Sequence, residues 1–208
     1  MSTKSKEKVQ MDPAYIIKLT VTLFVTCVVV AAALGGVNAI TEETIDRINW
    51  NKTVEAMKKV IPEAADFSDP LELSDTMTAA AASMGGTLDS VYEAQDANGE
   101  GIDCYALKVV TSGSQGKIEM MVGVDAEGTV TGVSIVKNSE TSGIGSKVMT
   151  NMPTASGVGV LSQFEGKSAA DGTLTVGANV DAISGATVST RGVTNGVNAA
   201  LAVAGVLG

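Results

Sequence analysis

The sequence predicts an α+β protein: a single N-terminal transmembrane helix followed by one domain, an antiparallel sheet with flanking helices. Three observations predict it. An apolar run extends from Ala14 to Ala39 with one charge near its start. After residue 90, short β-rich runs alternate with Asp, Asn and Gly turns. Near the end, Val193, Val197, Leu201 and Ala204 recur at helical spacing.

The apolar run reads AYIIKLTVTLFVTCVVVAAALGGVNA. About 20 apolar residues cross a bilayer's hydrocarbon core, and Ile16 to Gly36 meets that length. Lys18 sits where it can snorkel to the interface. A secretory signal peptide has a shorter apolar stretch, about 7–15 residues. Val37-Asn38-Ala39 would serve as its cleavage site, so that alternative stays open. A buried core helix would carry a polar stripe, and here there are only scattered threonines. Lys4, Lys6 and Lys8 precede the span, whereas Glu42, Glu43 and Asp46 follow it. The positive-inside rule then puts residues 1–13 in the cytoplasm and the chain after the span (14–39) on the outer face.

Residues 41–61 read as helical. Thr41 is a candidate N-cap, Glu42 and Glu43 suit the positive end of the dipole, and Pro62 ends it. Trp50, Val54, Met57 and Ile61 form one apolar stripe. Residues 40–62 are either a stalk continuing the membrane helix or a helix packed on its own domain. Residues 62–87 read as a loop with a short helix around Ala79 to Ala82. Candidate strands follow at Val91 to Ala94, Tyr105 to Val110, Ile118 to Val124 and Val130 to Val136. Thr173 to Val176 reads as one more strand and Val188 to Leu207 as a helix. Gly192 and Gly196 in that helix mark close approaches. With no long Gly/Ser or Pro linker, residues 63–208 form one domain.

Composition excludes several functions. The 208 residues carry 14 Lys+Arg against 23 Asp+Glu, a net charge of −9, which argues against a nucleic-acid partner. Aromatics at 3% leave few stacking platforms. The absence of His excludes imidazole acid/base work and metal ligation. Two cysteines cannot alone close a thiolate zinc site or hold an iron–sulfur cluster. Cys27 lies in the span, and Cys104 reads as a small buried hydrophobe. No metal site and no acid/base catalyst is expected.

One segment carries chemistry: Asp181-Ala182-Ile183-Ser184-Gly185-Ala186-Thr187. Thr187 falls at a helix start, where free amide N–H groups and the dipole favour an anion. Gly185 and Ala186 are small enough to let a phosphate ester approach the backbone. Ser184, Ser189 and Thr190 supply further donors. On these features alone, an ordinary helix start after a Gly turn explains the segment better than an anion site does.

The pattern Asp-x-x-[Ser/Thr]-Gly-Ala-[Thr/Ser] resembles the flavinylation motif of the bacterial FMN-binding domain family. By chance it would arise in roughly one chain of this length per thousand. The resemblance implies that a flavin transferase joins FMN through its phosphate to Thr187, and that Asp181 serves recognition by the transferase. Glu140-Thr141-Ser142-Gly143-Ile144-Gly145 resembles the family's Glu-Thr-Pro-Gly-Leu-Gly loop, which lies against the flavin. The resemblance thus implies flavin or phosphate contacts from Glu140, Thr141, Gly143 and Gly145, beside Ser184, Gly185 and Ala186. Ser142 stands where the family has Pro, which removes some rigidity. The histidine usual a few residues upstream is replaced by Asn138 or Lys137. Gly123-Val124-Asp125 through Gly132-Val133 is similar to the family's strand–turn–strand before that loop.

One membrane helix, a short stalk and one FMN-binding domain resemble the G-subunit family of Rnf complexes. The C subunits of sodium-pumping NADH:quinone reductases are similar but usually longer. The resemblance implies an electron-relay subunit in a bacterial inner membrane. Its complex passes electrons between ferredoxin and NAD+ and couples the flow to Na+ or H+ movement. Implied partners are the other Rnf membrane subunits, including a second flavin subunit and an iron–sulfur-bearing membrane pair, and the flavin transferase. The C-type subunit, another extracytosolic flavinylated carrier and a non-redox membrane-anchored assembly protein remain the alternatives.

Overall fold

The computed structural model describes residues 13–207. Lys4, Lys6 and Lys8, on which the expected orientation rests, lie outside the described residues. Pro13–Val60 forms one helix, α1. It is long and apolar enough to cross a membrane, and none of its apolar window is buried. The threonines in that window are satisfied internally: Thr20, Thr22 and Thr26 each donate to the carbonyl four residues earlier. An apolar solvent offers no other partner, so this removes the cost of scattered hydroxyls.

The helix expected over residues 41–61 continues the apolar helix without a break. Thr41 sits inside α1, and its hydroxyl donates to the Val37 carbonyl at 2.8 Å. Threonine followed by acids marks helix starts, but a back-bonded threonine is also accommodated mid-helix. The chain divides into two compact units, one ending at Trp50 and the other beginning at Asn51. The expected apolar stripe shifts accordingly. Trp50 is half exposed, while Thr53, Ala56, Met57 and Val60 are buried within the second unit.

The second unit is built on a five-stranded sheet, all antiparallel, in the order of the chain. The strands are β1 (Asp66–Phe67), β2 (Thr87–Gln95), β3 (Gly101–Ser112), β4 (Lys117–Val124) and β5 (Val130–Asn138). The expected meander is present, with longer first strands and a two-residue edge strand that is too short for any sequence periodicity. Helix α2 (Asp75–Ser83) follows Ser74, whose hydroxyl accepts from the Met77 N–H. Helix α3 (Gly145–Met149) and helix α4 (Thr187–Ala204) come after the sheet.

Both faces of the sheet are covered. One face contributes Leu107, Val109, Met120 and Val122 to the main core, together with Val193, Val197 and Ala200 of α4. The other contributes Tyr92, Ala106 and Met121 to a smaller core with Met57, Val60 and Ile61. Helix α4 approaches the strands closely, as its glycines predict. A Cβ at Gly192 would lie 2.6 Å from the Ser112 carbonyl oxygen, and one at Gly196 2.7 Å from Met120 Cε. Opposite, the end of α1 rests on the paired Gly123 and Gly132, and Thr131 donates to the Val60 carbonyl at 2.6 Å.

The strand expected at 173–176 is not formed. Only Val176 makes an isolated bridge, with Val180. The Asn198 side chain instead pairs with both the N–H and the carbonyl of Leu174, at 2.9 and 2.8 Å. A buried amide on α4 therefore satisfies the backbone that a ladder would otherwise serve. Cys104 is partly rather than fully buried. Burial pushes its thiol up, with Asp125 and Glu63 adding to the effect, so it has little thiolate character.

Candidate functional site

The two Gly-containing motifs begin 41 residues apart in sequence, at Glu140 and Asp181, and meet in space. After β5, the Asn138 side chain accepts from the Glu140 N–H at 3.1 Å and turns the chain. Asn138 thus has a structural task near the position where the family pattern has His. The Thr141 carbonyl then accepts from Ile144 at 3.4 Å and Ser146 at 3.2 Å. Gly143 donates to the Ser146 hydroxyl at 2.8 Å. These bonds hold the loop in the absence of the proline that Ser142 replaces.

Glu140 is the hub. One carboxylate oxygen accepts from the N–H groups of Ser114 and Gln115, at 2.7 and 3.2 Å. The other accepts from the hydroxyl of Ser189, in the first turn of α4. A single side chain thereby links the β3–β4 turn, the loop and the start of α4. Gly145 is small for this reason: a Cβ there would meet the Glu140 carboxylate and lie 3.1 Å from Ser189 Oγ.

Thr187 is the first residue of α4 and is exposed. Ala186 occupies the cap position and offers no side-chain acceptor. The first amides of a helix have no intrahelical carbonyl, so the start of α4 presents N–H donors that its cap leaves to other acceptors. Gly185 turns the chain into the helix at φ +83°, in the left-handed region that favours glycine. The Thr190 hydroxyl donates to the Ala186 carbonyl and faces the core instead of the site.

Glu140, Thr141, Gly145, Gly185 and Ala186 line one shallow cleft of about 180 Å³, with Ile144 and Val188 as half-exposed apolar walls. Pockets that engulf a drug-sized ligand run from about 300 Å³ upward. This cleft is suited to gripping one edge of a larger group. Gly143, Ser184 and Thr187 are exposed and outside its lining.

Asp181 is exposed and set apart from the cleft. Its backbone is clamped by Gln163, which accepts from the Asp181 N–H at 2.8 Å and donates to its carbonyl at 2.9 Å. Sequence reading did not find Gln163, Ser114 or Gln115 as site residues. The sequence marks Ser189 only as a donor near the helix start. Nothing in the spacing signals these links, because each crosses between distant segments.

Comparison with known proteins bears on the same residues. Residues 113–202 match the FMN-binding domain family, from the β3–β4 turn through most of α4. Over 96% of its length the chain is 35% identical to the G subunit of the Na(+)-translocating ferredoxin:NAD(+) oxidoreductase complex of Acetobacterium woodii, covering 97% of that protein. It is 32% identical to the G subunit of an ion-translocating oxidoreductase complex of Methanosarcina acetivorans, across 91% of this chain and 95% of the relative. The G subunit of the Stutzerimonas stutzeri complex is 28% identical over 86% of the chain, which covers 76% of that relative. The residues at the start of α4 fit the phosphate of FMN: an uncapped helix start, a reachable hydroxyl and a small-residue approach.

Proposed function

Because this chain belongs to the G-subunit family of ion-translocating oxidoreductase complexes, we propose that it is their membrane-anchored electron relay, with FMN esterified to Thr187. One observation carries the attachment site: Thr187 is exposed on the uncapped first turn of α4, between Ala186 and Val188, which line the cleft with Glu140. FMN supplies one- and two-electron redox chemistry, which this chain's own side chains cannot. The chain's residues hold and orient. The first amides of α4 would receive the phosphate, Ser184, Gly185 and Ala186 leave room for it, and Glu140 fixes the loop against α4. Thr141, Gly143 and Gly145 shape the approach. Asp181 is left outward for a flavin transferase to read, while Gln163 fixes its backbone.

Residues 14–39 form the membrane span, 40–50 the stalk and the compact unit from Asn51 the FMN domain on the outer face, with the N-terminus in the cytoplasm. Covalent attachment suits that face, where unattached FMN would diffuse away. The partners are the other membrane subunits of the complex, among them a second flavin subunit and an iron–sulfur-bearing pair. The chain has no catalysis of its own and acts as part of the ferredoxin:NAD+ oxidoreductase.

Co-expression with a flavin transferase tests the attachment. A denaturing gel should show a fluorescent band for the wild type and a dark one for Thr187→Ala. A fluorescent Thr187→Ala band would remove the site assignment, and a dark wild-type band would remove the covalent reading. Protease shaving of intact cells tests the orientation: the domain should be cleaved, and its protection would reverse the topology.

A further inference from the structure

We propose that Gln115, in the β3–β4 turn, reads the pyrimidine edge of the flavin ring and so sets the ring's orientation; this rests on the covalent-FMN reading above. Thr187 lies between Ala186 and Val188, and both of those residues line the cleft that Ser114, Gln115 and Glu140 also line. The ester would therefore form at the rim of the cleft into which Gln115 is built. The cleft is shallow, about 180 Å³, so it takes one edge of a ring and leaves the other outside. Which edge enters depends on the chemistry of the lining.

Ile144 and Val188 are its half-exposed apolar walls, and no aromatic side chain lines it among the described residues. A flat ring there is flanked by aliphatic groups, so its polar edge must supply the direction. The Glu140 carboxylate is already taken by the Ser114 and Gln115 amides and the Ser189 hydroxyl. The Ser114 hydroxyl and the Gln115 carboxamide have no hydrogen-bond partner among the described residues. Of the side chains lining the cleft, only Gln115 carries a donor and an acceptor side by side. The pyrimidine edge of an isoalloxazine presents the matching face, an N–H between two carbonyls. A carboxamide accepts from that N–H and donates to a carbonyl beside it, a paired contact that a lone hydroxyl or a carboxylate cannot make. The dimethylbenzene edge has no polar atom to offer. The turn is also fixed in advance: the Gly113 N–H donates to the Gly116 carbonyl at 2.7 Å, and Glu140 holds the Ser114 and Gln115 amides. Only the Gln115 side chain has to order when the ring arrives. With the pyrimidine edge toward this turn, the dimethylbenzene edge faces outward for electron exchange with a partner. Gln115 is a positioning residue for the ring, not a redox group.

The test uses the full chain in detergent, co-expressed with a flavin transferase and fed riboflavin labelled with carbon-13 at the pyrimidine carbonyls and the ring methyls. In the wild type the carbonyl resonances should shift from their free-FMN positions and resist broadening by a soluble paramagnetic agent, while the methyl resonances broaden as in free FMN. Gln115→Leu should return the carbonyl resonances toward the free positions. It should also lower the melting midpoint of the flavinylated chain by about 2–4 °C. The flavin-free Thr187→Ala background should be unchanged by Gln115→Leu, since nothing in that form bonds the carboxamide. Protected methyls with an accessible carbonyl edge would reverse the orientation and overturn the proposal. So would carbonyl resonances that stay in place in Gln115→Leu, or equal midpoint shifts in both backgrounds. Should Gln115→Leu prevent flavinylation, the wild-type accessibilities decide: a protected carbonyl edge supports the proposal and an exposed one overturns it. A wild-type chain without covalent flavin fails the underlying reading instead, so the two failures are separable.

Discussion

The hairpin turns at the two ends of the sheet are held by opposite means. At one end, the β2–β3 and β4–β5 turns hold themselves. Asp96 accepts from the N–H groups of Asn98 and Glu100 at 2.8 and 2.9 Å. Asp125 accepts likewise from Glu127 and Thr129, at 3.1 and 2.7 Å. At the other end, the β3–β4 turn has no such residue, and its amides bond to Glu140, about 25 residues away. The self-held turns serve only the sheet. The borrowed one is tied, through Glu140 and Ser189, to the helix start where the cofactor is proposed to attach. The difference shows where the fold invests long-range contacts: a local turn needs none, and a site assembled from three segments does.

Glu140→Ala should have the largest effect. It strips two turn amides and the almost fully buried Ser189 hydroxyl of one acceptor at once. Hydrogen bonds to a charged group are worth roughly 1.5–3 kcal/mol each, and the turn amides can recover part of that from water. Denaturant unfolding should show a loss of about 3 kcal/mol, with reduced flavin incorporation. Asp125→Ala breaks a self-held turn and should cost about 1 kcal/mol with incorporation intact. Equal losses in the two variants would erase the distinction between the two ends.

Gly145→Ala comes next. Its Cβ would collide with the Glu140 carboxylate and crowd Ser189 Oγ. Overpacking of this kind costs about 1–3 kcal/mol. The same substitution at Gly128 in the opposite turn meets open space and loses only the strain of φ +73°. Ser189→Ala is smaller, about 1 kcal/mol, because it removes one bond from Glu140 and leaves the other two. If Ser189→Ala matched Glu140→Ala in cost, the turn amides would contribute nothing and the hub would reduce to one pair.

The same contrast explains what the sequence discloses. The turns at Asp96 to Gly99 and Asp125 to Gly128 are readable because an Asp and a Gly, three residues apart, contain the whole mechanism. The strands between them and the face of α4 follow from period-2 and helical spacing. The motif at Thr187 is legible through family resemblance, and its helix start through small residues followed by a donor. By contrast, nothing near Glu140 says that its carboxylate closes a turn in another hairpin. Nor does Gln163 announce that it clamps Asp181 from 18 residues away. The expected strand at 173–176 failed for a related reason: alternating Thr-Leu-Thr-Val suits a strand, but Asn198 from α4 satisfied that backbone first.

The smallest expected effect isolates a self-held turn by itself. Accepting the Glu100 and Asn98 amides holds the Asp96 carboxyl below its ordinary value of 3.8. A lowered folded-state pKa stabilises the turn above the unfolded pKa, and that support is lost as pH falls through the folded value. The turn should therefore keep its geometry down to pH values below 3.8 and then loosen. In an NMR titration, the Asn98 and Glu100 amide shifts should move together, with one midpoint beneath the ordinary Asp value. Asp96→Asn should abolish that shared titration while leaving the amide shifts of Ser114 and Gln115, at the opposite end, in place. A midpoint at or above the ordinary value would mean that these amides do not favour the charged carboxylate. The turn would then owe its shape to Gly99 alone, at φ +81°, and the claim that an internal carboxylate holds this end of the sheet would fail.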